Sequence, residues 1–394
     1  MPDTNAPSRQ ELLGRATDLV PLLQKNAPWI EENRRLPDDV VGALTDAGLL
    51  KMRVPRHYGG YESPMRTVAD VVSELARGDG STGWTAAVWA ISSWMAGMFP
   101  DAVQDEVFGG EADVRISGIL SPTAVGVPTE GGIVLNGKWA FNTGSRQSAW
   151  NTNAAVRAHP DGSFEPIMVL IPLSELAVVD DWHTAGMRGS GSVSTVAQDL
   201  FVPDARILSM PPVLAGVHQL GRNAASPVYQ APFMPTACTT VASVALGLAR
   251  AGREAFFERL PGRKISYTAY ENQAEAPITH LTTADAVTRI DEAEFHVMRA
   301  AGMLDDKAAA GEQWTLEERA KARLDLGAAT QRSKEAVDLL NSASGGSSVY
   351  STVPIQRIQR DVQTLTLHAI MHPATNLELY GRVLCGLEPN THYI

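Results

Sequence analysis

The sequence predicts an α+β protein in three parts: an N-terminal helical domain over 1–113, a central β-barrel or sandwich domain over 114–210, and a C-terminal four-helix bundle domain over 211–394. Three observations predict it. Apolar residues recur at helical spacing through the first part. The pattern then shortens to that of strands, and after Pro203 it lengthens again into helical runs of about 25 residues each. No internal repeat, low-complexity tract or long linker interrupts this order.

The first helices are delimited by their own caps. Ser8-x-x-Glu11 has the form of a capping box, and Leu12, Leu13, Ala16, Leu19 and Leu23 follow at helical spacing. Pro37 precedes Val40, Val41 and Leu44, and Gly48 follows them, which marks a short second helix. Val54-Pro55 and Gly59-Gly60 make a break, and 68–76 and 82–99 read as two further helices. From Val114 the pattern is that of strands. Gly131-Gly132 and Asn136-Gly137 flank Ile133-Val134-Leu135 as turn dipeptides, Asn-Gly being a hairpin signal. Short runs at 153–156, 166–171, 177–182 and 194–201 supply further strands. After a proline-containing connection over 210–227, helices are expected over 236–260, 282–310, 316–343 and 358–384, lengths suited to an up-and-down bundle.

Composition narrows the function. The chain has 394 residues, 44% hydrophobic and 20% charged, the balance of a globular protein. A net charge of -11 offers no basic excess for phosphate backbones, which argues against a nucleic-acid partner. Cys238 and Cys385 are the only cysteines; they make no disulfide framework or zinc site and suit a reduced, cytoplasmic setting. The first residues lack the basic and apolar regions of a signal peptide. Residues 80–100 carry no charge, but their serines, threonines and tryptophans and the flanking Asp79 and Asp101 indicate a buried core helix, not a membrane span.

Chemistry concentrates in 344–373, SGGSSVYSTVPIQRIQRDVQTLTLHAIMHP. Gly345-Gly346-Ser347-Ser348 is either a helix cap and turn or a nest of backbone N–H groups able to hold an anion. Arg357, Arg360 and Asp361 are suited to intersubunit or intrahelical ion pairs. His368 is either a helix histidine bonded to a backbone carbonyl or a proton-transfer group working near neutrality. His372 follows one helical turn later on the same face, yet no third ligand is spaced to complete a metal site.

Further motifs occur in a set order: Val54-Pro55-x-x-Tyr58-Gly59-Gly60, Ser81-Thr82-Gly83-Trp84, Lys138-Trp139-Ala140-Phe141-Asn142-Thr143-Gly144, Gly186-Met187-Arg188-Gly189-Ser190-Gly191-Ser192 and Val202-Pro203. With the segment 345–361 and the helix–strand–helix order, they resemble the acyl-CoA dehydrogenase superfamily of flavoproteins. Within it the chain looks most like the reduced-flavin-dependent monooxygenases, the oxygenase components of two-component aromatic hydroxylases. The resemblance spans essentially the whole chain. It implies reduced FMN or reduced FAD as cofactor, supplied by a separate NAD(P)H:flavin reductase, with O2 as co-substrate and no nicotinamide site. It also implies a homotetramer built as a dimer of dimers. The implied reaction is hydroxylation of a small phenolic or polyketide-type aromatic through a flavin C4a-hydroperoxide.

The departures from the dehydrogenases sharpen this. Their catalytic glutamate occupies one of two positions, and Ala369 and Ala237 stand there in this chain, so a dehydrogenation base is missing. His368, beside the first, is similar to the histidine with which the hydroxylase branch positions or deprotonates a phenol. The resemblance implies flavin contacts from Ser117, Ile119 and Leu120 on one strand and from Phe141, Thr143 and Ser145 after another, with Thr143 the better-matched hydroxyl for flavin N5 or O4. Ser190 and Ser192 are implied on a loop near the flavin, and Gly345 and Gly346 near the flavin of a neighbouring subunit. Trp84, Trp94, Ala237 and Ala369 are the implied substrate-side residues, although either tryptophan is equally at home in a core. Arg263 and Lys264 stand where dehydrogenases have a more regular pyrophosphate-gripping motif, which suits a protein that borrows its flavin. Alternatives on the same fold are N- or S-oxygenation of an amine, amino sugar or thiophene, and an acyl-CoA dehydrogenase. From a different class comes a catalytically silent ligand-binding scaffold.

Overall fold

The computed structural model describes residues 6–110, 113–217 and 221–394; the signal-peptide reading falls partly on residues 1–5, outside that set. Five helices come first. α1 (Arg9–Asn33) starts on the expected capping box: the Glu11 N–H donates to Ser8 Oγ at 3.2 Å and the Ser8 N–H to Glu11 Oε2 at 2.7 Å. α2 (Asp38–Asp46) precedes Gly48, whose φ of 70° admits glycine most easily. α3 (Met65–Gly78) and α4 (Gly80–Ala96) are separated only by Asp79, an extended residue that caps α4 by accepting the Thr82 N–H at 2.8 Å. α4 is buried on nearly every side, as a core helix, and no described helix is long and apolar enough to cross a membrane. α5 (Asp101–Phe108) completes the group.

The strands β1 (Ile116–Ile119), β2 (Ala124–Thr129), β3 (Gly132–Trp139), β4 (Trp150–Ala158), β5 (Phe164–Pro172), β6 (Ala177–Val179), β7 (Ser194–Pro203) and β8 (Ile207–Ser209) follow. They form one mixed sheet in the order β6-β7-β3-β2-β4-β5-β8, with β1 and β2 both running parallel to β4. One face of this sheet closes on a core of its own that includes Ile133, Leu135, Trp139 and Val169. Asn136-Gly137 is not the expected turn. The β2–β3 turn lies at 130–131, and Asn136 sits inside β3, where the register against β7 slips and its amide pairs with Asp199. Gly137 is required there because a Cβ would stand 2.4 Å from that of Ala124.

Among the described residues, seven helices follow the sheet: α6 (Met210–Ala215), α7 (Pro227–Gln230), α8 (Phe233–Arg259), α9 (Pro277–Ala310), α10 (Leu316–Ala343), α11 (Pro354–Thr366) and α12 (Pro373–Leu384). The expected single helix over 358–384 is therefore two. Pro373 begins α12 and pushes His372 into an extended conformation (φ -59°, ψ 118°), so 367–372 forms an irregular turn between them. His368 and His372 consequently do not share a helical face. The helices before and after the sheet share one apolar core, in which α3 and α8 approach backbone to backbone: a Cβ at Gly247 would lie 2.1 Å from Ser73 O. Around this core, α4, α11, the end of β3 and the loop between β6 and β7 converge on one place.

Candidate active site

Trp84, one turn into α4, joins the parts of the site. Its ring meets the His368 imidazole edge-on, with centroids 5.3 Å apart and an interplanar angle of 67°. Its Nε1–H donates to Thr143 Oγ1 at 3.0 Å. From Thr143 a row of hydroxyls runs on: Thr143 Oγ1 to Ser192 Oγ at 2.7 Å, Ser192 Oγ to Ser190 Oγ at 2.7 Å, and Ser190 Oγ to the Met187 carbonyl at 2.8 Å. An indole can only donate and a carbonyl can only accept. The proton order is thereby fixed, each hydroxyl giving its proton onward toward Met187. Thr143 Oγ1 accepts from Trp84, donates to Ser192, and keeps one lone pair for a further donor. Thr143, Ser190 and Ser192 are all buried, so water competes little for these bonds.

Local backbone explains why these residues meet. Phe141 (φ 64°) and Gly144 (φ 65°) turn the chain sharply at the end of β3. A positive φ is costly for a bulky aromatic, and strain of this kind gathers at functional sites. Phe141 is nevertheless 61% exposed, touching Trp182 edge-on at 5.8 Å. Beside it, Ser145 Oγ is buried without a hydrogen-bond partner.

His368 sits in the turn after α11, where its Nδ1 accepts the Ile370 N–H at 3.3 Å. The neutral ring therefore carries its proton on Nε2. The residue keeps some solvent contact, but protein surrounds the ring closely, and desolvation lowers its pKa from 6.5 to about 4. It is an imidazole donor at neutral pH and a weaker base than the sequence suggests. The turn is gripped from below by Asn376, fully buried, whose Nδ2 donates to Ile370 O at 2.8 Å and His372 O at 3.0 Å. Arg323, also buried, donates Nε to Asn376 Oδ1 at 2.8 Å and Nη1 to the Tyr393 carbonyl. Neither residue carries a motif by which the sequence reveals it.

Other expected residues lie elsewhere. Ser117 is fully buried with its hydroxyl on Asn151 Oδ1 at 2.7 Å, and Ile119 packs into the sheet's own core; on that strand end only Leu120 packs on the helical side. Trp94 is a core residue, 0% exposed, stacked on Tyr229 and Phe233 with its Nε1–H on the Val228 carbonyl at 2.9 Å. Ala237 is buried in α8 and Ala369 is exposed in the His368 turn. Gly345 and Gly346 are exposed at the end of α10, next to Arg259 and Arg263: Arg259 donates to Ser347 Oγ at 3.1 Å and Arg263 to Ser344 O at 2.5 Å. Among the described residues neither arginine has an acidic partner, and burial and then Arg259 lower the Arg263 pKa. No sequence signal reveals Arg259, because it stands 88 residues from Ser347 in the chain and only the fold brings the two together.

Comparison with known proteins gives the site its context. Residues 19–105 match the acyl-CoA dehydrogenase N-terminal domain and residues 239–373 its C-terminal domain. The chain is 31% identical to the oxygenase subunit HsaA of a flavin-dependent monooxygenase from Rhodococcus jostii, over 95% of this chain and 98% of that one. It is 29% identical to the oxygenase component of an FADH2-dependent resorcinol hydroxylase from Rhizobium sp., over 97% and 96%. Among solved structures, XiaF from Streptomyces sp., in complex with FADH2 and glycerol, superposes with a TM-score of 0.92 at 32% identity, covering 97% of each chain. The chain belongs to the flavin-dependent monooxygenase oxygenase components of the acyl-CoA dehydrogenase superfamily.

A flavin-dependent oxygenase component takes reduced flavin from a separate reductase and uses O2. The residues present fit such a cofactor. An exposed aromatic at a strained turn, an unpartnered Ser145 hydroxyl and a Thr143 oxygen with a free lone pair together suit a flat ring with a hydrogen-bonding edge. In a reduced flavin N5 carries hydrogen, which makes an acceptor the complementary partner at that edge.

Proposed function

We propose that this oxygenase component hydroxylates a small phenolic or polyketide-type aromatic, with His368 facing the substrate's phenolic oxygen and Thr143 facing the reduced flavin. The observation that carries the reading is the position of Trp84, whose ring touches His368 while its Nε1–H holds Thr143. One indole thus spaces the group that handles the substrate from the group that handles the cofactor. When bound, a reduced flavin would supply the electrons that activate O2, and O2 would supply the oxygen atom that is transferred. This chain's residues hold and orient. Thr143 Oγ1 and Ser145 Oγ accept or donate at the flavin's polar edge, and Phe141 and Leu120 give it apolar contact. Gly345, Gly346, Arg259 and Arg263 form a cationic nest for the phosphate of a flavin bound by a neighbouring copy. That arrangement accords with a homotetramer, and the chain's composition with a cytoplasmic setting.

His368 then acts through its Nε2 proton. A neutral imidazole donating to the phenolic oxygen stabilises the phenolate left when the phenol gives its proton to solvent, and a phenolate ring is richer in electrons than a phenol and more easily attacked by an electrophilic oxygen. Trp84, with the small side chains of Ala237 and Ala369, leaves room for an aromatic ring. Two alanines at the positions of the dehydrogenases' glutamate leave no carboxylate to abstract a proton from an acyl thioester.

Glutamine tests the donor role, because its amide N–H replaces Nε2–H without the ring's basicity. With a generic reductase and a panel of phenols, H368A should lose about 100-fold or more in kcat. H368Q should retain activity within about 10-fold of the parent, the scale of one hydrogen bond. Equal loss in both variants would rule out the donor assignment, and turnover of an amine unaffected by H368A would favour N-oxygenation.

A further inference from the structure

The first helix of the segment that carries His368 also docks the loop that carries the hydroxyl row. Asp361, on α11 and only 4% exposed, accepts the Met187 N–H on Oδ1 at 2.5 Å. Arg360 donates Nη1 to Ala185 O at 2.5 Å and pairs with Glu31 of α1 at 2.5 Å. Between these contacts Gly186 lies flat on α11: a Cβ there would stand 2.2 Å from Arg360 O. The ion pairs expected of the Arg-Asp dipeptide are thus divided. Arg360 makes one, whereas Asp361 makes a hydrogen bond to a backbone.

Met187 has a φ of 53°, a left-handed conformation that is costly for a non-glycine residue and needs an external hold. Its N–H is held by Asp361. Its carbonyl is the terminus of the hydroxyl row, receiving Ser190 Oγ at 2.8 Å and Trp182 Nε1 at 3.1 Å. Met187 is thus held at both ends in its left-handed conformation, its N–H by Asp361 and its carbonyl by Ser190 and Trp182.

We propose that Asp361 is a positioning residue for the oxygenation site: by holding the Met187 N–H it aims the Met187 carbonyl, sets the proton order of Ser190, Ser192 and Thr143, and keeps Thr143 Oγ1 an acceptor toward the reduced flavin. The inference rests on the proposed flavin contact of Thr143. It concerns no group that touches substrate or flavin; Asp361 acts through the loop. The charged groups facing it are Asp79, which caps α4, and Arg357 and Arg360 of its own helix, with Glu31 beyond Asp79. Burial foremost, with Asp79 adding to it against the Met187 N–H and the two arginines, raises the Asp361 pKa to about 7. Both of its protonation states offer an oxygen to Met187, and the ionised one accepts more strongly.

Three variants separate aiming from mere support. D361N keeps an acceptor oxygen, D361A removes it, and G186A lifts the loop from α11 while leaving Asp361 intact. Two quantities are read in each: the dissociation constant of reduced FMN and reduced FAD under anaerobic conditions, and the product formed per O2 consumed, the remainder appearing as H2O2. D361A and G186A are expected to weaken reduced-flavin binding about 10-fold, the equivalent of one buried hydrogen bond, and to divert several-fold more O2 to H2O2. D361N should stay within about 3-fold of the parent, and its coupling should lose the parent's change between pH 6 and 8. If D361A does not fold, G186A decides. Unchanged flavin binding and coupling in D361A and G186A, or equal damage in D361N and D361A, would overturn the proposal. Failure of the parent protein to oxygenate any phenol would instead overturn the functional reading, while the anaerobic affinities still decide the role of Asp361.

Discussion

The Trp84–Thr143 hydrogen bond can be weighed directly by a double-mutant cycle of W84F and T143V. W84F keeps a ring in the site but removes the Nε1–H that Thr143 Oγ1 accepts at 3.0 Å between two buried residues. The lost bond costs about 1 kcal/mol, and the smaller ring leaves roughly 40 Å³, worth about another 1 kcal/mol. T143V preserves shape but strands the Trp84 N–H and removes one partner of Ser192, for about 2 to 3 kcal/mol. In the double variant no indole N–H remains to be stranded. Its destabilisation should therefore fall short of the sum of the singles by about 1 kcal/mol. Equilibrium unfolding in urea, followed by circular dichroism on the four flavin-free proteins, measures this without reference to catalysis. The His368 contact of Trp84 is lost equally in both arms and cancels. Additivity within about 0.3 kcal/mol would mean that the two groups are not bonded, and the ordered hydroxyl row would fall with them.

Three further outcomes follow from the same contacts. His368 titrates at about 4 in the folded protein and at 6.5 in an ordinary setting. Only the unfolded chain takes up the proton in between, so its contribution to stability is full above pH 6.5 and is lost as pH falls toward 4. That loss amounts to about 3 kcal/mol, trimmed toward about 2 by the residue's remaining solvent contact; H368Q unfolding curves should lack it. Asp361 runs the other way: with its pKa raised from 3.8 to about 7, its contribution is full below pH 3.8 and is lost as pH rises from there through 7. D361N should therefore gain stability relative to the parent between pH 5 and 8, read from paired denaturation midpoints. G247A would drive a Cβ to 2.1 Å from Ser73 O and part α3 from α8, lowering stability by about 3 kcal/mol in the same assay.

Local signals were legible in the sequence where they act locally. The capping box at Ser8 and the ends of α10 at Leu316 and Ala343 follow from neighbouring residues alone. The apolar run continues across 367–372, so periodicity predicts one helix there, although Pro373 marks the break. Asn136-Gly137 has the chemistry of a turn, yet strand pairing with β7 uses the same freedom for a bulge. The candidate site divides in the same way. Trp84, Thr143, Ser190, Ser192 and His368 each had a motif, but their meeting depends on the packing of α4, α11 and a loop, which no spacing encodes. Ser117 and Trp94 are satisfied inside cores that only the folded chain defines. Asn376 and Arg323 position His368 from a distance and look like ordinary helix-surface residues in the sequence.

The most direct test of the central claim is isotopic. The parent protein, a generic flavin reductase with NADH and flavin, and a phenolic substrate are incubated under 18O2, and the product is analysed by mass spectrometry. The account predicts one 18O atom in the hydroxylated product, none when reductase is omitted, and a loss of about 100-fold or more in that signal for H368A. Product oxygen drawn from water, or turnover of an acyl-CoA with an artificial electron acceptor in place of O2, would contradict it.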